Sequence, residues 1–174
     1  AKARIAEYEF TTTTPEFGIM DYKGIKVQII EIPAIVQKFH STEKGPTFLG
    51  MIRNSQLIII TSRTKEDKEL VLKELYKNDI DLPIIHNQDE SIEELKELIW
   101  KRLNFVYIYT KLPGKKPDFP PIALKKPALI KDLAGHVHKD YIRNFNYAKI
   151  WGKSAKFSGQ TTGLNHSLAD GDIV

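Results

Sequence analysis

The chain has 174 residues, 41% of them apolar and 28% charged, with a formal net charge of +4. That length holds one medium domain or two small ones; no apolar run nears the ~20 residues of a membrane-crossing helix, and the absence of cysteine excludes disulfides and thiolate metal sites. Charge is unevenly placed, net −2 over residues 1–104 and +6 over 105–174, which assigns any nucleic-acid contact to the second part, unless that surplus only solvates a surface.

Near the start lies a threonine cluster, "EYEFTTTTPEFG". Alone it reads as a β-prone or exposed loop. "FGIMDY" at 17–22 predicts a strand, Tyr22-Lys23-Gly24 a hairpin turn, and "IKVQIIEI" at 25–32 a buried strand with acidic Glu31 near its end. "QLIIIT" at 56–61 is a second buried strand, of the kind found in parallel sheets covered on both faces. "KEDKELVLKELYK" at 65–77 is helical, with Leu70, Leu72, Leu75 and Tyr76 near one face. "LPII" at 82–85 is a third strand. "ESIEELKELIWKRL" at 90–103 is an amphipathic helix with Ile92, Leu95, Leu98 and Ile99 as its apolar face, and Ser91 with Glu94 supplies a capping box. Alternating strand and helix imply an α/β layer with a mostly parallel sheet.

The pattern changes at Asn104. "FVYIYTK" at 105–111 is an aromatic, β-branched strand, "LPGKKPDFPP" a loop, and "IALKK" a short strand ended by Pro127. "LIKDLAGHVHKDYIR" at 129–143 is read as one helix from the recurrence of Leu129, Leu133, Val137 and Tyr141. "YAKIW" at 147–151 is a strand, the following stretch is turn-rich, and "DIV" begins a last strand. One helix among short strands reads as a small α+β roll, with the boundary near 103–105.

"YTKLPGKKPDF", "DLAGHVHKDYIRNFNYAKIWG" and "GQTTGLNHSLADGDIV" together resemble the TGS domain, a ubiquitin-like β-grasp module. The variant they resemble is the one that ends the developmentally regulated GTP-binding proteins, Obg-related GTPases of translation. "YEFTTTTPEFGIMDYKGIKVQIIEIPAIV" resembles the switch I segment, hairpin and strand to switch II of the same family, and "ESIEELKELIWKRLNFVYIYTK" the helix joining its two domains. The implied fold is an α/β P-loop-type GTPase domain, incomplete in this chain, over 1–103, followed by a small α+β ubiquitin-like β-grasp TGS domain over 104–174. The resemblance implies GTP or GDP as ligand and Mg²⁺ as cofactor. Thr12, with Thr11 second, would give a hydroxyl to the ion and an amide to the phosphate. Glu31 would hold the ion through water, and the Ala34 amide would face the γ-phosphate. It also implies Mg²⁺-dependent GTP hydrolysis coupled through the TGS part to the ribosome, RNA or a small regulatory protein. A cytoplasmic location without membrane attachment fits these partners.

Three departures stand against the family pattern. No G-x-x-x-x-G-K-[ST] loop is present in the 174 residues; in the family it precedes the switch I threonines. Glu31 and Ala34 replace the family's Asp and Gly, adding a methylene and removing ready access to positive φ. No convincing Asn-Lys-x-Asp guanine motif follows a strand: Asn78 and Asp81 have the spacing but end a helix, and "HNQDE" at 86–90 is too short for the guanine-reading loops. The chain therefore reads as a fragment, as a sequence with internal breaks closed up, or as a paralogue without GTP binding.

The five histidines offer no metal pair, since His136 and His138 are two apart on a helix. In the second part, Lys111, Lys115, Lys116, Lys125, Lys126, Lys139 and Arg143 are candidates for a basic RNA- or partner-binding face beside Tyr107, Tyr109 and Trp151. The alternative is that these rings belong to the small core. Two non-enzymatic readings stay open: a binding module with a degenerate GTPase part, and an adaptor that adds a strand at the TGS sheet edge.

Overall fold

The computed structural model describes residues 14–87 and 90–174. Contacts divide it into two compact units, one of residues up to Met20 with Val27–Leu103, the other of Asp21–Lys26 with Asn104–Val174. The threonines at 11 and 12 lie outside the described residues.

β1 (Glu16–Tyr22) and β2 (Ile25–Glu31) form a two-stranded sheet. Their turn has Lys23 at φ 54° and Gly24 at φ 90°, the paired positive φ values of a two-residue hairpin that matches strand twist. The Gly24 amide donates to Asp21 Oδ1 at 3.1 Å.

In the first unit, β3 (Ile58–Thr61) pairs in parallel with β4 (Ile84–Asn87), Ile58 opposite Ile84 and Thr61 opposite Asn87. A parallel pair needs a crossover, and α2 (Lys65–Lys77) supplies it, capped by Thr64 Oγ1 accepting from the Asp67 amide at 3.1 Å. Phe39, Phe48, Leu49, Ile52, Ile60, Leu75 and Ile80 form the core, with Ile32, Ile35 and Val36 packed against it. α3 (Ile92–Leu103) carries the predicted capping box. The Glu94 amide donates to Ser91 Oγ at 3.3 Å, and the Ser91 amide to Glu94 Oε2 at 2.9 Å.

Two expectations are corrected here, and one element is new. α1 (Gly45–Arg53) occupies a stretch left unassigned from the sequence. Pro46 sits in its first turn, where the missing N–H costs nothing. A Cβ at Gly45 would overlap the Phe39 carbonyl oxygen. On α2, Tyr76 is 83% exposed and Glu74 is buried in its place. On α3, Ile92 is exposed, and Trp100 joins Ile99 in the interior.

In the second unit, β5 (Phe105–Ile108) pairs antiparallel with β6 (Ile122–Lys125), and β7 (Ala148–Ile150) with β8 (Gln160–Thr162). The C-terminal segment runs between the pairs. It is parallel to Tyr109 on one side, through Tyr109 N to Asp172 O at 2.9 Å and Val174 N to Tyr109 O at 2.8 Å. On the other side it is antiparallel to Trp151, with the Trp151 and Ile173 backbones exchanging bonds of 2.9 and 2.7 Å. The order is β6, β5, C-terminal segment, β7, β8, with α4 (Ile130–Val137) between β6 and β7 in sequence. This is the β-grasp arrangement. Val106, Ile108, Leu124, Ile130, Leu133 and Ile150 fill its core.

The helix expected over 129–143 is two helices. His138 takes extended geometry, φ −165° and ψ 138°, closing α4 and opening α5 (Lys139–Arg143), whose Asp140 amide donates to His138 Nδ1 at 3.2 Å. Leu133 is buried, whereas Val137 and Tyr141 are exposed, because the break ends the four-residue recurrence. β8 was also unexpected within the turn-rich stretch.

Candidate functional site

Glu31 is the last residue of β2 and exposed, and its carboxylate makes no hydrogen bond or ion pair among the described residues. Behind it, Ile32, Ile35 and Val36 pack into the core of the first unit, and Ala34 between them is exposed. Apolar neighbours thus anchor the backbone and leave the Ala34 position at the surface. Thr11 and Thr12 lie outside the described residues.

Fixed groups follow along the chain. Lys38 has φ +56°, and the Phe39 amide donates to Glu74 Oε2 at 3.2 Å. Burial pushes the Glu74 carboxyl up, but the Phe39 and Lys38 amides and the Lys77 ammonium outweigh it and hold it below the usual carboxylate range. Lys77 Nζ lies 3.4 Å from Glu74 Oε1.

At the C-terminal end of β4, His86 Nδ1 and Asn87 Oδ1 are buried with no hydrogen-bond partner among the described residues. Burial, and secondarily Lys68, lower the His86 pKa from its ordinary value. Open α/β sheets bind ligands beyond the carboxyl ends of their strands, and unsatisfied buried polar atoms are uncommon. The sequence signal for Asn87 was the position of "HNQDE"; what it lacked was the knowledge that a strand runs up to the Asn. Asn78, by contrast, is a helix cap, its Nδ2 donating to Glu74 O at 2.8 Å.

Among the described residues no three His, Cys, Asp or Glu side chains cluster as a metal cage. The exposed Glu31 carboxylate does fit Mg²⁺ bound in the usual way for nucleotides, by one or two protein oxygens with phosphates and water as the other ligands.

In the second unit the candidate basic residues are spread over several elements. Lys115 and Lys116 are exposed in the β5–β6 loop, Lys125 ends β6, and Lys139 and Arg143 lie exposed on α5. Lys126 is paired with Asp170 at 3.1 Å. Lys111 is half-buried, its ammonium 4.6 Å from the Trp151 ring centre. Tyr107 and Tyr109 meet edge to face at 6.0 Å and are half-buried. The three rings named from sequence are therefore engaged, while Tyr141, Tyr147 and Phe157 are more than half exposed. Their exposure could not be read from aromatic content alone.

A family model described as the 50S ribosome-binding GTPase matches residues 1–111. The chain belongs to this GTPase family. A TGS-domain model matches residues 106–174, and the strand order above is the ubiquitin-like fold of that domain. The chain is thus a GTPase-family α/β region followed by a TGS domain, as in the developmentally regulated GTP-binding proteins. An uncharacterized GTP-binding protein of Methanocaldococcus jannaschii is 29% identical over all of this chain and 71% of its own length. That aligned span of 279 positions exceeds the 174 residues of this chain, so the relative carries internal segments without counterpart here. Ribosome-interacting GTPase 1 of Saccharomyces cerevisiae is 38% identical over 66% of this chain and 31% of its own length. Developmentally-regulated GTP-binding protein 2 of Homo sapiens is 35% identical over 48% of this chain and 23% of its own. This GTPase-family chain thus spans less than a third of the yeast and human relatives it matches. No helix among its described residues is long and apolar enough to cross a membrane.

Proposed function

We propose that this protein binds GTP with Mg²⁺ in its first part, hydrolyses it, and passes the nucleotide state to a ribosomal RNA or protein partner through the TGS domain, in the cytoplasm. The functional division falls between Leu103 and Asn104. The observation that carries the reading is the strand that ends in exposed Glu31 and continues into the core-anchored Ile32–Val36 segment within a matched GTPase region.

Mg²⁺ neutralises charge that develops on the phosphates during transfer. For this chain's part, Thr12, and secondarily Thr11, would present a hydroxyl oxygen and an amide. Glu31 would accept from ion-bound water, and the Ala34 amide would donate to the terminal phosphate. Ile35, which follows, cannot orient water as a Gln would. Asn87 Oδ1, buried and without a partner among the described residues, suits donor groups on a purine edge. The ribosome enters through the yeast relative's name, and a small regulatory protein is a second class of partner. Lys115, Lys116, Lys125, Lys139 and Arg143 would neutralise phosphates, with Tyr141, Tyr147 and Phe157 available to stack on unpaired bases.

A fluorescent GTP analogue titrated with and without Mg²⁺ tests the first half. Saturable binding that tightens with Mg²⁺ is expected. No binding in either condition would leave a non-enzymatic RNA- or protein-binding module.

A further inference from the structure

Glu74 is a charged residue only 2% exposed, on the inner face of α2, a face the sequence pattern assigned to Leu70, Leu72, Leu75 and Tyr76. A carboxylate is buried at high cost unless paired and hydrogen-bonded. Its bonds go outside its own helix as well as within it. The Phe39 amide, thirty-five residues back, donates to Oε2 at 3.2 Å, and the Lys38 amide also faces the carboxylate. Lys77, one turn along α2, approaches Oε1 at 3.4 Å. Lys38 holds φ +56°, uncommon for a non-glycine residue, so these two amides are turned toward the carboxylate at a local backbone cost. Phe39 is 3% exposed and stacks on Phe48 with ring centres 6.2 Å apart. Upstream, β2 ends at Glu31 and Ile32, Ile35 and Val36 enter the same core.

We propose that Glu74 is a positioning residue: its carboxylate tethers the backbone at Lys38 and Phe39, so that the Ala34 amide rides on a loop fixed at both ends. An answer to a change at the nucleotide is then confined to residues 32–37, whose Ile32, Ile35 and Val36 already pack on the core, and it is short-ranged and stiff. The tether follows from the contacts above. Its consequence for ligand rests on the GTP reading. Glu74 touches neither phosphate nor metal and acts through the loop alone.

The tether is read by hydrogen exchange in the nucleotide-free protein. E74Q keeps the side-chain volume and removes the charge that holds two amides and Lys77. It should speed exchange across residues 38–39 at least tenfold while β3 changes less than twofold. K77A removes only the ion pair and should leave 38–39 protected. Equal acceleration throughout the first unit in E74Q, no acceleration at 38–39, or loosening by K77A as great as by E74Q would each overturn the tether.

Positioning is read by the ratio of affinities for a non-hydrolysable GTP analogue and for GDP. A merely structural role would lower both alike. E74Q should lower the ratio at least tenfold, and an unchanged ratio with loosened amides overturns the positioning role. Should the unsubstituted protein bind neither nucleotide, the GTP reading fails, positioning of a phosphate contact fails with it, and exchange at 38–39 still decides the tether.

Discussion

At the scale of single residues, environment rather than residue type decides which groups carry chemistry. Glu31 and Glu74 are both glutamates of the first unit. One ends a strand in solvent; the other is enclosed and charged. The Glu74 pKa is lowered in the folded protein, so its stabilising contribution is fully present above the unfolded value near 4.5 and is lost as pH falls through the lower folded value. Thermal unfolding followed from pH 7 downward should show a loss of Tm below about pH 4.5 that E74Q makes shallower; an identical acid profile in E74Q would contradict the assignment. Asp172 shows another buried carboxylate put to structural use. It accepts from Ser154 Oγ at 2.6 Å and the Ala169 amide at 2.7 Å, and so locks the turn before the last strand. His166 Nε2 lies 3.1 Å from the same Ser154 Oγ. The three side chains resemble a hydrolytic triad in composition only, because the carboxylate engages the serine and not the histidine.

Elements were legible where one local signal was strong. Ser91 and Glu94 marked the start of α3 by their spacing, and the reciprocal bonds are present. S91A should cost about 1 kcal/mol of stability in denaturant unfolding, and a change below about 0.3 kcal/mol would show that the box contributes little. Lys23-Gly24 was equally readable as a turn. α1 went unassigned from the sequence; its Gly45 sits where a Cβ would overlap the Phe39 carbonyl oxygen, a close approach that only the fold reveals. His138 stopped a helix that apolar recurrence would have continued, because its ring accepts the Asp140 amide and caps a new one. The inward placement of Glu74 and outward placement of Tyr76 depend on where the Phe39 amide lies, a tertiary fact. For the candidate site the strand end at Glu31 was readable. The buried Oδ1 of Asn87, without a partner among the described residues, was not, since burial of one atom has no sequence signature.

Across the whole molecule, the division of charge, −2 over residues 1–104 and +6 over 105–174, is the ground on which the proposed RNA contact is assigned to the TGS part. Association with single-stranded RNA should weaken with salt, and K115A with K116A should reduce the slope of log K against log salt by about 1 for each lysine that contacts a phosphate. An unchanged slope would leave a protein partner as the reading of that surface. The two family models match in this order along the chain, the GTPase region first and the TGS domain second; nucleotide sensing by the first is the proposal.

The most direct test of that sensing is the Mg²⁺-dependent gain in GTP-analogue affinity, compared between the unsubstituted protein, T12A and E31Q. The account predicts a gain of tenfold or more in the unsubstituted protein, worth about 1.4 kcal/mol, that both substitutions largely abolish while leaving Mg²⁺-free affinity within about twofold. Equal gains in all three proteins, or no gain in any, would contradict it.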